Sequence, residues 1–343
     1  MPKNRVWRIV LIVVGSILLL LLLLILGLWI YANIMLNKLD RSEITGDMSL
    51  SEDQIYDGPT EAVEDSVKEI EEAKQQFEEI QKIEIVDSED IVNILLIGSD
   101  RRNSSENGRS DSMVLVSLNY KTGKIHMTSL MRAMYVCIPR SDGNIWGMLN
   151  AAYSWGGPNL LIDTVELNFR VKIDHYAVMD FSDVQDAVDL VGGLDITLTE
   201  GEARHVQSNS GTPTQSGKQH LNGKQVRAYC QIRYIDNDFV RTSRQRTVLK
   251  LLFAKAAKSD LGTLVSLADQ MLPKVNTNLT NGEIISYIMK TLPILNNVSK
   301  GRMLPVENES GKTYTGMIYV GGREMYKVDF EENIKALHEY IQS

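Results

Sequence analysis

The sequence predicts an α/β fold, a central mixed β-sheet flanked by helices, preceded by an N-terminal transmembrane helix and an acidic helical stalk. Three observations lead there. From Ile91 onward, apolar runs of strand length alternate with helix-periodic stretches and glycine turns, the pattern of strands layered with helices. Between Ile9 and Ile30 stand 22 residues without a charge, enough to span the hydrocarbon core of a bilayer. Residues 40–90 carry 18 acids against 4 bases, which places the acidity of this chain, net charge −8, in a connector and leaves the folded part nearly neutral.

These signals divide the 343 residues into a cytoplasmic tail (1–8), a transmembrane signal anchor (9–31), an acidic extracytoplasmic linker with a stalk helix (32–90), a main folded domain (91–260) and a segment completing that domain (261–343). Lys3, Arg5 and Arg8 precede the apolar run with no acid among them, so the positive-inside bias puts the N-terminus in the cytoplasm and the rest outside. Tyr31, Asn33 and Met35 follow the run where a cleavage site would need small residues, which favours a retained anchor in the cell membrane. Within the linker, Thr60 to Lys82 has Val63, Val67, Ile70, Phe77 and Ile80 at helical spacing. It reads as a stalk helix open to self-association, or as a solvated spacer.

The domain opens with an apolar strand, Ile94 to Ile97, ending near Asp100, and a second, Met113 to Val116, starting just after Asp111. Arg101, Arg102 and Arg109 lie in the polar loop between. Carboxylates alone repel phosphate and arginines alone need no metal, so the mixture points to Mg²⁺ and a polyanion held together, the alternative being a solvated hairpin loop of self-neutralising charges. Asn119 to Lys124 forms a turn on Gly123, and the strand Ile125 to Leu130 delivers Arg132 at its end, where open α/β sheets bind ligands. A short helix (Asn150 to Tyr153), a Gly156-Gly157 turn and a helix (Leu160 to Asn168) come next. A strand (His175 to Met179), a helix (Phe181 to Leu190), a Gly192-Gly193 turn and a strand (Leu194 to Leu198) follow.

Gly201 to Gly223 is polar and reads as a long surface loop covering or bordering a site. Val226 to Tyr234 reads as a strand, and Asp236 opens a helix running to about Ser259. Arg233, Arg241, Arg244 and Arg246 crowd the start of that helix, where basic groups oppose the macrodipole unless an anion sits there or Asp236 and Asp238 pair with them. Cys137 and Cys230 fall in predicted strands and are taken as free, buried thiols. The five histidines lack ligand spacing. An extracytoplasmic, nearly neutral domain excludes nucleic acid as a partner. Helices over Gly262 to Leu272, Asn281 to Leu292 and Asp329 to Ile341 serve as scaffold.

Read in order, Gly98-Ser99-Asp100 with Arg102, Gly108-Arg109-Ser110-Asp111, Ser129 with Arg132, Asn150 with Tyr153 and Gly156-Gly157, Asp189 with Gly192-Gly193, Leu221 with Gly223, Tyr229 with Arg233, and Asp238-Phe239 with Arg241, Arg244 and Gln245 resemble the LytR-CpsA-Psr family over about residues 92–253. The resemblance implies an α/β domain with a hydrophobic groove for a polyprenyl chain. It also implies transfer of a glycopolymer from a polyprenyl-pyrophosphate carrier to a peptidoglycan acceptor at the membrane. By position, Asp100 and Asp111 correspond to metal-binding aspartates for Mg²⁺, with Mn²⁺ as the alternative. Arg102, Arg109, Arg132, Arg233, Arg241 and Gln245 correspond to residues gripping the pyrophosphate, with Arg244 beside them, and Arg132, Arg233 and Asp100 carry the catalytic roles. Three positions depart from the pattern: Ala133 replaces an aspartate, Gln231 an arginine and Val240 a glycine. A non-catalytic or weakly active lipid-binding regulator or scaffold is therefore the alternative expectation, and a purely structural envelope protein a more distant one.

Overall fold

The computed structural model describes residues 21–46, 65–100, 109–141, 143–232, 238–295, 297–306, 315–320 and 323–343. A six-stranded mixed sheet of order β10-β3-β2-β1-β6-β9 organises it. Its strands are β1 (Ile91–Asp100), β2 (Arg109–Asn119), β3 (Lys124–Leu130), β6 (His175–Asp180), β9 (Asn276–Thr277) and β10 (Arg302–Leu304), while β4 (Tyr135–Ile138) and β5 (Ile145–Met148) pair separately. β1 and β2 pair antiparallel, as do β2 and β3, while β1–β6 and β10–β3 are parallel. Gly123, at φ 67°, closes the β2–β3 turn. Asn276–Thr277 and Arg302–Leu304, both from the segment expected to be scaffold, supply the sheet's two edges.

Alternation along β1 decides what each face meets. Leu95 and Ile97 are fully buried against a core of Tyr153, Trp155, Phe169 and Phe330. Ile94, Leu96 and Gly98 point the other way and are only partly covered. The first face packs on helix α2 (Leu149–Phe169) and the C-terminal helix α9 (Phe330–Gln342). The expected pair of helices over 150–168 is one element bent at Gly156-Gly157, where Gly157 has φ 66° and a side chain would meet the Ile44 carbonyl oxygen.

The second face is roofed by a smaller unit with its own core, Val188, Leu194, Ile196, Val206, Leu221, Val226 and Cys230. Here α3 (Phe181–Leu190) and strand β7 (Leu194–Leu198) agree with expectation, and two other expectations fail. The segment expected to be a loop over Gly201–Gly223 contains helix α4 (Glu200–Ser210) and strand β8 (Gly217–Leu221). Thr199 caps α4 through a reciprocal pair with Glu202, a signal hidden by the polar composition. The strand expected over Val226–Tyr234 is helix α5 (Gly223–Cys230), capped the same way by Asn222 and Gln225, so Cys230 is helical. Helix α6 (Asp238–Ala256) follows, then α7 (Leu261–Met271) and α8 (Asn281–Thr291).

Helix α1 (Asp65–Ile80) is not a stalk. Ala73, Phe77 and Ile80, at i, i+4 and i+7, are buried in the main core. Phe77 meets Trp146 at 5.3 Å and Glu72 pairs with Lys327 at 2.6 Å, so Ile70, Phe77 and Ile80, the described part of the apolar stripe expected to serve self-association, pack on this same chain. The chain ahead of it is fastened too. Asp40 exchanges backbone hydrogen bonds with Val275 and Thr277, Arg41 donates to the Leu279 carbonyl at 2.8 Å, and Leu36, Leu39 and Ile44 are buried. Of the expected membrane span 9–31, residues 9–20 lie outside the described residues. Residues 21–36 form a helix with exposed leucines and isoleucines, and no helix among the described residues is long and apolar enough to cross a membrane.

Candidate active site

Asp111 owes its position to a break in register. Gly98 pairs with Ser112 and Ser99 with Ser110, so Asp111 is the extra residue of a β-bulge, which turns its side chain out of the regular alternation. Asp100 pairs with Arg109 one step further along the same edge. Only the backbone of Asp100 and Arg109 is described, while Arg101, Arg102 and Arg233 lie outside the described residues.

Arg132 stands two residues beyond β3, at the same end of the sheet. Its Nη1 donates to Asp111 Oδ1 at 2.7 Å, and its Nε donates to Asp238 Oδ2 at 3.3 Å. Asp238 is the first residue of α6, and its other oxygen lies 3.1 Å from Arg241 Nε. Arg241, 3% exposed, donates from Nη2 to the Asp111 carbonyl at 3.3 Å and closes the ring. Four residues distant in sequence thus form one cluster, Asp111–Arg132–Asp238–Arg241. Burial pushes the Arg132 guanidinium down, but the charges of Asp238 and Asp111 outweigh it and hold the group above the usual arginine range. The conflict of arginines at a helix start is answered here by Asp238, the pairing anticipated for it; Asp236 lies outside the described residues.

Arg244 is placed apart from the other site arginines. One turn deeper than Arg241, it meets α4 instead of the sheet edge, and its Nε donates to Glu202 Oε1 at 2.8 Å with both side chains nearly buried. Its guanidinium also lies over the Tyr229 ring at 5.7 Å. Gln245 does face the sheet. It is buried, and its Oε1 has no hydrogen-bond partner among the described residues.

Gln245 and Ser112 stand at one end of an apolar cleft between the sheet's second face and helices α3, α5 and α6. Leu96, Val114, Ala177, Met179, Val184 and Val248 line it, and it encloses about 640 Å³ including its open mouth. A narrow apolar slot ending at Ser112 and the Gln245 amide, next along β2 and α6 to Asp111 and Arg241, suits an alkyl chain that carries an anionic head. A second cavity, of about 630 Å³ including its open mouth, opens on the other side of the charged cluster. It is lined by Arg132, Ala133, Asp238, Arg241 and three residues of the hairpin β11 (Thr315–Val320) and β12 (Arg323–Val328): Met317, Glu324 and Tyr326. The hairpin residues carry no charge pattern or motif that sequence reasoning could have used.

Among the described residues no group of three or more His, Cys, Asp and Glu is placed to hold a metal ion. The oxygen donors at this edge are still of the kind a hard divalent cation takes, and such a cation commonly completes its shell with water and substrate phosphate.

The model of the LytR_cpsA_psr family matches residues 57–336, starting well upstream of the domain boundary expected at residue 91. A polyisoprenyl-teichoic acid–peptidoglycan teichoic acid transferase, TagU, of Oceanobacillus iheyensis is 32% identical over 253 residues, covering 71% of this chain and 75% of that protein. Biofilm regulatory protein A of Streptococcus mutans is 33% identical over 266 residues, covering 71% of this chain and 63% of that protein. The solved structure of TagT bound to LIIa-WTA has the same fold at TM-score 0.61 and 22% identity, over 77% of this chain and 94% of that one.

Proposed function

Because the chain belongs to the LytR_cpsA_psr family, we propose that it is a membrane-anchored, extracytoplasmic phosphotransferase that moves a glycopolymer from a polyprenyl-pyrophosphate carrier to peptidoglycan. The observation that carries this reading is the Asp111–Arg132–Asp238–Arg241 cluster at the head of an apolar cleft. The names of the transferase relatives support the reaction class, and the apolar run from Ile9 to Ile30 supports the anchor.

In this reading the polyprenyl tail lies in the cleft, in contact with Leu96, Val114 and Met179, and its pyrophosphate sits against Arg132 and Arg241. The two guanidiniums stabilise charge on the transferred phosphoryl group and on the departing polyprenyl phosphate, and Gln245 offers its amide to an oxygen of the same group. Arg102, Arg109 and Arg233 complete the grip. Asp100 and Asp111 are the residues that would hold Mg²⁺, or Mn²⁺, whose chemistry there is neutralisation of the pyrophosphate charge.

Mass spectrometry of the chain purified from membranes tests the reading. A co-purifying polyprenyl phosphate or pyrophosphate is expected, together with transfer that falls when Arg132 or Arg233 is replaced by alanine. Absence of lipid, or full transfer by both variants, would refute it. A lipid-binding regulator without turnover is the second reading, favoured by Ala133 and Gln231 where the family pattern has charged groups. Steady turnover by the purified protein with Mg²⁺ excludes that alternative.

A further inference from the structure

The two cavities are separated by the charged cluster, and α6 shows how. Asp238 and Arg241 line the second cavity, while Gln245, Val248 and Leu249 line the apolar cleft. At steps of three and four these residues follow one helical stripe, so the cavities lie end to end along it. The β2 bulge makes the same division: Ser112 lines the cleft, while the Asp111 carboxylate turns to Arg132 on the far side. Arg241, bonded to the Asp111 carbonyl, stands between.

In a phosphoryl transfer the attacking and leaving oxygens lie roughly in line on opposite sides of phosphorus. With the lipid phosphate leaving toward the cleft, the nucleophile must arrive from the opposite side, where the second cavity opens. Its walls suit a carbohydrate. Tyr326 is fixed by a T-shaped contact with Phe239 at 5.2 Å and by its backbone bond to the Ala133 carbonyl, and it offers a ring face and a hydroxyl. Ala133, ending at Cβ, leaves the floor open. Two carboxylates face this space. Asp238 is shared between Arg132 and Arg241, whereas Glu324 accepts a hydrogen bond from the Tyr319 hydroxyl at 3.1 Å, on the exposed hairpin.

We propose that the second cavity is the acceptor subsite, taking a sugar hydroxyl of a glycan strand, and that Glu324 is the carboxylate that receives its proton. This rests on the transfer reading above and adds to it a place of entry and a base. The acceptor oxygen forms a bond to the phosphorus that carries the glycopolymer. The bond from that phosphorus to the bridging oxygen breaks, its electron pair leaves with polyprenyl phosphate, and the hydroxyl proton passes to Glu324. Glu324 thereby supplies, from a different strand, a carboxylate beside the position where Ala133 has none.

The test uses the full chain in detergent with a polyprenyl-pyrophosphoryl oligosaccharide as donor and a soluble, peptide-free glycan oligosaccharide as acceptor. Donor binding and transfer are read separately, for wild type and Glu324→Gln. Loss of a general base lowers the transfer rate by about 10²-fold or more, and donor affinity stays within about twofold. Tyr319→Phe, which removes only the hydroxyl on Glu324, lowers transfer by a smaller factor in the same assay. Transfer by Glu324→Gln at the wild-type rate overturns the assignment and leaves the transferase reading intact. A wild type that binds donor without transferring also overturns it, in favour of the regulator. A wild type that binds no donor overturns the parent reading and this one with it.

Discussion

Replacing Glu202 by glutamine separates the structural arginine of α6 from the site arginines. Glutamine keeps the reciprocal cap with Thr199, because the amide oxygen still accepts from the Thr199 backbone. What disappears is the charge facing Arg244. The two side chains are 12% and 4% exposed, so the values of at most 1 kcal/mol for surface pairs do not apply. Leaving a buried arginine without its carboxylate costs about 3 kcal/mol, the low end for such breaks because Glu202 keeps some contact with water. For a domain of this size that is a fall of roughly 6–12 °C in thermal midpoint. The assay is thermal unfolding of the full chain for Glu202→Gln, Arg244→Met and the double variant. The double variant is expected to be about 2 kcal/mol more stable than the sum of single effects implies. The pH dependence has a defined sign. Burial pushes the Glu202 carboxyl up, but the Thr199 and Arg244 hydrogen bonds outweigh it and hold the group below its ordinary value. Its stabilisation is therefore complete above the unfolded value of about 4.3 and is lost as pH falls below it, so Glu202→Gln flattens the acid limb of the stability curve. A cost under about 1 kcal/mol, or additive single effects, would refute the pairing and return Arg244 to the phosphate-binding set.

Further outcomes follow from the cleft and the cluster. Ala177→Phe projects a ring into the apolar slot and displaces two or three methylenes of a bound tail, at about 0.8 kcal/mol each; co-purifying lipid, weighed by mass spectrometry, should fall roughly 30-fold with circular dichroism unchanged. Arg132→Lys keeps the charge but cannot reach Asp111 and Asp238 through one planar fork, and the transfer rate should fall by about 10²-fold or more. Burial pushes the thiols of Cys137 up to about 11 and Cys230 up to about 12, so neither should react with iodoacetamide at pH 8 until the chain is unfolded, as counted by mass shift.

What was legible in the sequence was local. β1, β3, β7 and α3 carry clean periodicities of 2 or 3.6, and their expected positions agree with the structure to within a few residues. α4 was hidden because it holds few apolar residues, and α5 because Val226 to Tyr234 alternates by accident of composition. The decisive signals were the caps Thr199-x-x-Glu202 and Asn222-x-x-Gln225. At the site, Asp111, Arg132 and Arg241 could be singled out as charges at element ends. Their meeting through Asp238 spans more than a hundred positions, and only its pairing with Arg241 was visible as an i, i+3 relation. The pairing of Arg244 was illegible for the same reason, since nothing in its neighbourhood names Glu202, 42 residues earlier. Glu324 carried no signal at all, because a lone acid on a hairpin is indistinguishable from a solvated one.

The strap from Leu36 to Ile44 bears on where in the envelope the chemistry takes place. It adds an edge bridge beside Asn276, with Arg41 and Ser42 tied to the same loop, so no free tether separates the helix that ends at Leu36 from the body. If the apolar run ahead of it crosses the bilayer as proposed, the protein rides close to the headgroups, like a tool bolted to its bench instead of one on a lead. The donor is then at hand by construction, and only glycan strands threaded down to the innermost layer of the wall can be modified. Freeing the strap would widen that reach and loosen the cleft's hold on its height above the lipid.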